Sequence, residues 1–415
     1  MHRMRSLVAL LGGLVLSGCS LSHPHYVAPD VQVGQPAFRR ALEAHTLATP
    51  VGGNRVQILV NGDEIFPAML AAIREARRTI TFANFIVEDG PSARAMASAL
   101  AERCRAGVRA HILLDAVGSS GMPREYRRLL TDAGCSFAWF HSLNPFALKR
   151  INHRNHRRIL VIDGRIGFTG GTGIGGRWEG DGRHADHWRQ TDVRIDGPAV
   201  RLLQSAFAEN WRDATGMLLG GDAYFPEIQS RGDLEVQAIK SSPASGAAEA
   251  YLLFLLAIDG ARSSIYLTNP YFVPDDAMAD ALVRAAGRGV RVSVVTAGAT
   301  HGILDLFVHK ASQAHFRRAL KAGVKIYEYG PALLHAKTLV VDDQWVSIGS
   351  ANLDNRSFAL NNELNVVFVD RGLASRLTTV FREDLRFARA VEDDEVRQGL
   401  NGMFYLTLLP LRDQL

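Results

Sequence analysis

The chain has 415 residues, 47% apolar and 21% charged, a balance that excludes a disordered polypeptide and a length that suits two domains rather than one. Its 47 Lys and Arg against 42 Asp and Glu give a net charge of +5. That is compatible with phosphate or an anionic membrane surface but too slight for a dedicated nucleic-acid binder, and three cysteines exclude a disulfide framework or a Cys-rich zinc site.

The chain begins with a basic region of His2, Arg3 and Arg5 and an apolar stretch, Ser6–Leu16, too short to span a bilayer. Leu16-Ser17-Gly18-Cys19 has the form of a bacterial lipobox, in which small residues suit the peptidase and the cysteine thiol takes a diacylglycerol. Residues 1–18 are therefore expected to be a lipoprotein signal peptide and Cys19 the lipidated residue; the alternative is a plain signal peptide with an incidental cysteine. By resemblance to envelope lipoproteins, Ser20 rather than Asp after that cysteine predicts sorting to the outer membrane. Residues 19–50, with Pro24, Pro29, Pro36 and Pro50, read as a tether.

From residue 51 the chain is an internal repeat. Arg78-Thr79-Ile80-Thr81-Phe82-Ala83-Asn84 recurs as Ser263-Ser264-Ile265-Tyr266-Leu267-Thr268-Asn269, Gly107-Val108-Arg109 as Gly289-Val290-Arg291, and Ala133-Gly134 as Ala322-Gly323. Periodicity predicts helices over Phe66–Ala76 and Ala250–Ala261, strands over Ile80–Val87 and Ile265–Val273, helices over Ala93–Arg105 and Ala277–Arg288 capped by Gly107 and Gly289, and strands over Val108–Leu114 and Val290–Thr296. Strands alternating with helices predict an α/β fold of two tandem repeats, 51–222 and 223–415, divided where Gly220, Gly221, Pro226 and Gly232 cluster. Cys104 and Cys135 align with Ala286 and Val324 and read as buried packing positions; a disulfide between them is the alternative in an oxidising envelope.

The chemistry is carried by His335-x-Lys337-x4-Asp342-x6-Gly349-Ser350-x-Asn352. Strand alternation places His335 and Lys337 on one face, so an imidazole and a cation share a cleft. Asp342 ends the strand in a turn, and Ser350 and Asn352 can donate hydrogen bonds to phosphate oxygens. The first half repeats the pattern as His156, Arg158 and Asp163, followed by Gly170-Gly171-Thr172-Gly173. Two histidines at equivalent positions of a duplicated chain are not a chance pair.

On these two motifs the chain resembles the phospholipase D superfamily, over residues 51–415. Asn269-Pro270-Tyr271-Phe272-Val273-Pro274-Asp275, Gly349-Ser350-Ala351-Asn352-Leu353-Asp354-Asn355-Arg356-Ser357 and Arg194-Ile195-Asp196-Gly197-Pro198-Ala199-Val200 are similar to its cardiolipin synthase branch. The resemblance implies two α/β repeats about a pseudo-twofold axis with both histidines in one cleft, and no cofactor or metal. It implies phosphatidyl transfer through a phosphohistidine, with phospholipid partners at a membrane surface: phosphatidylglycerol, and phosphatidylethanolamine as a further candidate. His156, Arg158, Asp163, His335, Lys337 and Asp342 are the implied catalytic set, supported by Ser350 and Asn352. Rival activities are hydrolysis to phosphatidic acid, cleavage of nucleic-acid phosphodiesters, and lipid binding without catalysis.

Three departures stand out. Arg158 replaces the first lysine, and Gly173 replaces an asparagine. Glu363 resembles the family carboxylate that orients a histidine through Nδ1 and is expected to serve His335, whereas the matching residue for His156 is the neutral Gln190. Asp192, on the same face of the strand, is expected to supply His156 with a carboxylate. Gly171-Thr172-Gly173-Ile174-Gly175-Gly176 matches a dinucleotide fingerprint but should not open a helix. His184 and His187 read as a polar active-site loop, the basic run Lys149–Arg158 as a headgroup-steering face, and Trp139, Phe140 and Phe146 as core or lipid-facing residues.

Overall fold

The computed structural model describes residues 26–142, 152–242, 248–298 and 316–393. The signal peptide, Cys19, Phe146, Lys149 and Arg150 lie outside them.

In chain order, α1 (Pro36–Thr46) precedes β1 (Val51–Val60), α2 (Asn61–Glu75), β2 (Thr79–Asn84), α3 (Pro91–Arg105), β3 (Arg109–Asp115), α4 (Arg124–Asp132), β4 (Ser136–Phe140), β5 (Arg154–Asn155), β6 (Ile159–Ile162), β7 (Ile166–Gly170), β8 (Thr191–Asp196) and α5 (Val200–Thr215). The second half runs β9 (Leu234–Ser241), α6 (Glu249–Asp259), β10 (Ser264–Thr268), α7 (Asp276–Gly287), β11 (Arg291–Ala297), β12 (Lys325–Tyr329), β13 (Thr338–Val341), β14 (Trp345–Gly349), α8 (Asn355–Ala359), β15 (Asn361–Val369), α9 (Arg371–Leu385) and β16 (Ala388–Ala390).

The duplication is visible in the sheet. The order β4-β3-β2-β6-β7-β8-β1 in the first half matches β12-β11-β10-β13-β14-β15-β9 in the second. In each, three parallel strands joined by helical crossovers meet an antiparallel set that carries the motif. Antiparallel pairing of β1 with β9, Val51 opposite Val236, makes the sheet continuous, so β8 and β15 flank the junction. Strands β2, β6, β13 and β14 are buried at every position, which is why Ile159–Ile162 and Leu339–Val341 read as unbroken apolar runs. One hydrophobic cluster spans the junction, packing Val193, Leu203 and Phe207 with Val346, Ile348, Val366 and Leu377. Gly107 and Gly289 have φ of 88° and 86° with open space where a Cβ would project, so backbone conformation rather than crowding favours glycine there.

Two expectations are corrected. Residues 26–50 are not a tether: Phe38 and Leu42, one turn apart on α1, are buried in the core of the second half, and Phe38 meets Trp345 edge-on at 6.1 Å. Pro36 is the first residue of α1, where proline starts a helix rather than marking a linker. Each buried apolar side chain contributes about 1.5–3 kcal/mol, enough to hold the segment down. Cys104, at the end of α3, and Cys135, just before β4, form a disulfide. Aligning each with an apolar residue of the other half hid this, because neither partner position there is a cysteine. Phe140 is fully buried and stacks on His141, and Trp139 packs against the first-half core.

Candidate active site

Each motif histidine sits in an extended segment just before its strand, and each segment pairs with the opposite half. Arg154 and Asn155 of β5 run parallel to Asn361 and Asn362 at the start of β15, and the His156 N–H donates to the Asn362 carbonyl at 3.0 Å. The second half mirrors this. The Arg189 N–H donates to Leu333 O at 2.9 Å, and the His335 N–H donates to Arg189 O at 2.9 Å. Gly171 lies against this junction: a Cβ there would stand 3.1 Å from the His335 carbonyl oxygen.

The supporting groups are consequently exchanged between halves. His156 Nδ1 lies 2.8 and 3.0 Å from the two carboxylate oxygens of Glu363. His335 Nδ1 lies 3.0 Å from Gln190 Nε2. Glu363 therefore serves His156 rather than His335, and Gln190 serves His335. Asp192 reaches neither imidazole: its Oδ1 accepts from the Gly171 N–H (3.0 Å), the Thr172 N–H (3.2 Å) and the Thr172 hydroxyl (2.8 Å). The physical reason lies in the pairing. The start of β8 is hydrogen-bonded to the segment before His335, and the start of β15 to the segment before His156. A residue count within one half cannot show which half a strand edge joins.

The two cations fold back identically. Arg158 Nη1 donates to the His156 carbonyl at 2.5 Å, and Lys337 Nζ to the His335 carbonyl at 2.6 Å. Both are buried, and the Arg158 guanidinium lies 5.6 Å from the Phe85 ring centre. Burial, then these cations, hold both imidazoles well below the usual histidine range, so each has an unprotonated nitrogen near neutral pH. Burial first, and Arg158 next, also push the Lys337 ammonium well below its ordinary value. The Glu363 carboxyl is raised by burial, opposed by the Ser350 hydroxyl, which donates to it at 2.5 Å, and by Arg158. Phe85 faces His156 edge-on at 5.0 Å, and Trp188 lies 5.5 Å from His335. The arrangement offers two imidazole Nε2 atoms between two cations, a chemistry that fits a phosphodiester.

Asp163 and Asp342 are not brought to the histidines. They sit just past the far ends of β6 and β13, seven residues from His156 and His335, roughly 23 Å along an extended chain. Asp163 accepts the N–H groups of Arg77, Arg78 and Thr79, and Asp342 those of Arg262, Ser263 and Ser264. Both have φ near 52°, holding the turn that each carboxylate closes. Asn352 is buried; its N–H donates to the Ser357 hydroxyl, and its Oδ1 has no partner. Gly173 has a steric cause: a Cβ there would lie 2.6 Å from the Trp178 indole. The glycine segment leads only into a three-residue 3-10 turn, Gly176–Trp178. His184 and His187 form a bridge in their own loop, and no cluster of three His, Cys, Asp or Glu among the described residues is placed to hold a metal.

The basic run is corrected too. Arg154, Arg157 and Arg158 are buried, not a solvated face. Arg154 pairs with Asp115 at 3.3 Å. Arg157 donates to Glu363 O (3.1 Å), Ala206 O (3.0 Å), Glu209 Oε2 (2.9 Å) and Ser241 O (3.2 Å), joining the halves directly behind the site. Sequence reasoning missed this role because a charge run carries no sign of burial. The repeated Asn84 and Asn269 were also missed as site residues, although the repeat displayed them. Asn84 donates to Thr172 O (3.1 Å), and Asn269 accepts from the Leu353 N–H (3.1 Å), so each steadies the loop after its motif.

Comparison with protein families matches residues 69–184 and 254–385 to "Cardiolipin synthase, PLD-like domain". Cardiolipin synthase A of Pseudomonas putida is 37% identical over 349 residues, 84% of this chain and 72% of the relative. Cardiolipin synthase A of Pseudomonas aeruginosa is 38% identical over 357 residues, 85% and 71% respectively. Among solved structures, phosphatidylserine synthase of Haemophilus influenzae Rd KW20 superposes with a TM-score of 0.70 at 12% identity, covering 91% of this chain and 100% of that one, a likeness of fold alone.

Proposed function

We propose that this chain, which belongs to the cardiolipin synthase-type phospholipase D-like family and is a phospholipid-modifying enzyme, transfers a phosphatidyl group through a phosphohistidine to the hydroxyl of phosphatidylglycerol. The observation that carries this reading is the pair of buried motif histidines, each held at Nδ1 by the opposite half. Held so, both Nε2 atoms are left for substrate. One imidazole attacks phosphorus and the other protonates the departing glycerol oxygen. The second then takes the proton of the incoming hydroxyl, which displaces the imidazole. Arg158 and Lys337 balance the charge on the non-bridging oxygens. One phosphodiester replaces another, so the exchange of phosphatidylglycerol for cardiolipin and glycerol needs no nucleotide.

The lipobox supports an envelope location with Cys19 as membrane anchor, on the periplasmic side of the outer membrane. The Cys104–Cys135 disulfide supports an oxidising compartment. Among the described residues no helix is long and apolar enough to cross a membrane. The test is to incubate purified protein with phosphatidylglycerol, with and without phosphatidylethanolamine, and identify the products by mass spectrometry. Cardiolipin with equimolar glycerol is expected. Phosphatidic acid as the sole product makes the enzyme a hydrolase, and no lipid product overturns the reading.

A further inference from the structure

We infer that residues 26–33 are a strap that delivers the amino-terminal anchor to the cleft end of the second half, so that the bilayer holding Cys19 is the surface from which the cleft takes its lipid. The inference rests on the proposed acylation of Cys19 and on the phosphatidyl-transfer reading, and adds to them which end of the molecule meets its membrane.

Helix α6 fixes the direction. Just past its carboxyl end the Arg262 N–H donates to Asp342, seven residues along the motif from His335, so that end points away from the cleft. Its amino end points toward the cleft. Tyr251, in the first turn of α6, meets Phe358 of α8 edge-on at 5.2 Å, and its hydroxyl donates to Asp275 Oδ1 at 3.3 Å. Asp275 ends the loop after β10, and α8 follows the loop of Ser350, the residue that holds Glu363 behind His156.

The strap runs along α6 between these two ends. The Val33 N–H donates to the Gly260 carbonyl at 3.0 Å, and Asp30 accepts from Arg262 Nη2 at 2.7 Å. The Val31 carbonyl passes so near Gly260 that a Cβ there would stand 3.1 Å from it. Ala28 and Val31 pack on the second-half core, and Tyr26 lies on Tyr251 with ring centres 5.7 Å apart. Asp30 is almost fully exposed, and an ion pair in water holds little, so the apolar contacts and the two tyrosines fix the path.

Chain length turns this path into a reach. Seven residues separate Cys19 from Tyr26, at most about 25 Å of extended chain. Released as far as Val33, the leash would be fourteen residues and about 50 Å, and it would start from the far end of α6. With the strap docked, the short leash starts beside the loops behind the cleft and keeps that end over the anchored bilayer. The effective concentration of a tethered surface falls roughly as the −3/2 power of leash length once the leash exceeds the span.

The experiment uses the full-length acylated enzyme in phosphatidylglycerol vesicles, beside soluble dihexanoyl phosphatidylglycerol, which needs no surface. One variant inserts about twenty Gly and Ser residues between Ser22 and His23, lengthening the leash without touching a strap contact. The other, Tyr26→Ala with Val31→Asp, releases the strap. Vesicle turnover at sub-saturating lipid should fall roughly sevenfold in the first and roughly threefold in the second, while turnover of the soluble lipid matches wild type in both. The insertion variant decides where the strap variant does not fold. Unchanged vesicle turnover with the insertion overturns the inference. So does a rise, because an anchor at the wrong end is relieved by a longer leash. Mass spectrometry of Cys19 and wild-type turnover of the soluble lipid, on the same sample, separate the failures. An unmodified Cys19 overturns the anchor and the strap with it, and absent wild-type turnover overturns the phosphatidyl-transfer reading and the strap with it.

Discussion

Asp192 shows how a buried carboxylate beside an active site can serve the backbone rather than the chemistry. All three of its hydrogen bonds go to Oδ1, and its Oδ2 is buried without a partner. An asparagine can accept the same three bonds through its carbonyl and carries no charge. Burial pushes the Asp192 carboxyl up to about 6, against the pull of Thr172, Gly171 and Arg158. Because the folded pKa lies above the unfolded one, the native state binds the extra proton between about pH 4 and 6, and stability falls as pH rises through that window. Asp192→Asn should therefore be no less stable than wild type at pH 7, and its stability should lose that pH dependence. Urea titrations at pH 4, 5, 6 and 7 check this, and a fall in stability at pH 7 would show that the charge itself is needed. The identities of the two histidines, Arg158, Lys337 and Glu363 were legible from the repeat, because duplicated spacing survives in sequence. Which carboxylate or amide serves which histidine was not, because that depends on a strand edge shared between halves.

At the scale of elements, the third member of each motif is a clasp. Asp163 ties the β6–β7 turn to the junction of α2 and β2, and Asp342 ties the β13–β14 turn to the junction of α6 and β10. Sequence spacing placed both aspartates at a strand end, and that much was legible. What each one holds follows only from the register of β6 on β2 and of β13 on β10, which sets it against the N–H groups at the start of the neighbouring strand. Asp163→Ala removes an acceptor from three N–H groups and should cost about 2–4 kcal/mol of stability. The KM for phospholipid should change little at a temperature where the variant is folded. A loss of kcat of a hundredfold or more without loss of stability would restore a catalytic role. The same scale explains α1: four prolines between residues 20 and 50 suggested a linker, yet Phe38 and Leu42 carried a helical spacing that only a partner surface, here around Trp345, makes meaningful.

For the whole molecule, the question is what makes two α/β halves a single catalytic unit. The disulfide does not: Cys104 and Cys135 both belong to the first half, 31 residues apart, and staple α3 to β4. Cys104→Ser with Cys135→Ser should lower stability by about 2–4 kcal/mol and leave lipid transfer intact in what folds, with non-reducing peptide mapping of the wild type finding the linked pair. The union rests instead on β1 pairing with β9, on the shared hydrophobic cluster, and on Arg157. That side chain is almost fully buried and reaches α5, β9 and the backbone of Glu363 at once. The carboxylate behind His156 is therefore positioned by a bond that crosses the junction. Arg157→Lys keeps the charge but loses the planar fork that spans these acceptors, leaving buried carbonyls without donors. With two buried carbonyls left unmet it should cost about 2–6 kcal/mol, at roughly 1–3 kcal/mol each. It should also depress turnover more than it weakens phospholipid binding, because Glu363 shifts while the cleft cations stay. Denaturation followed by Trp fluorescence, beside kcat and KM, checks this. Wild-type kcat in a destabilised Arg157→Lys protein would show that the bond supports folding alone and that Glu363 is held by Ser350 without it.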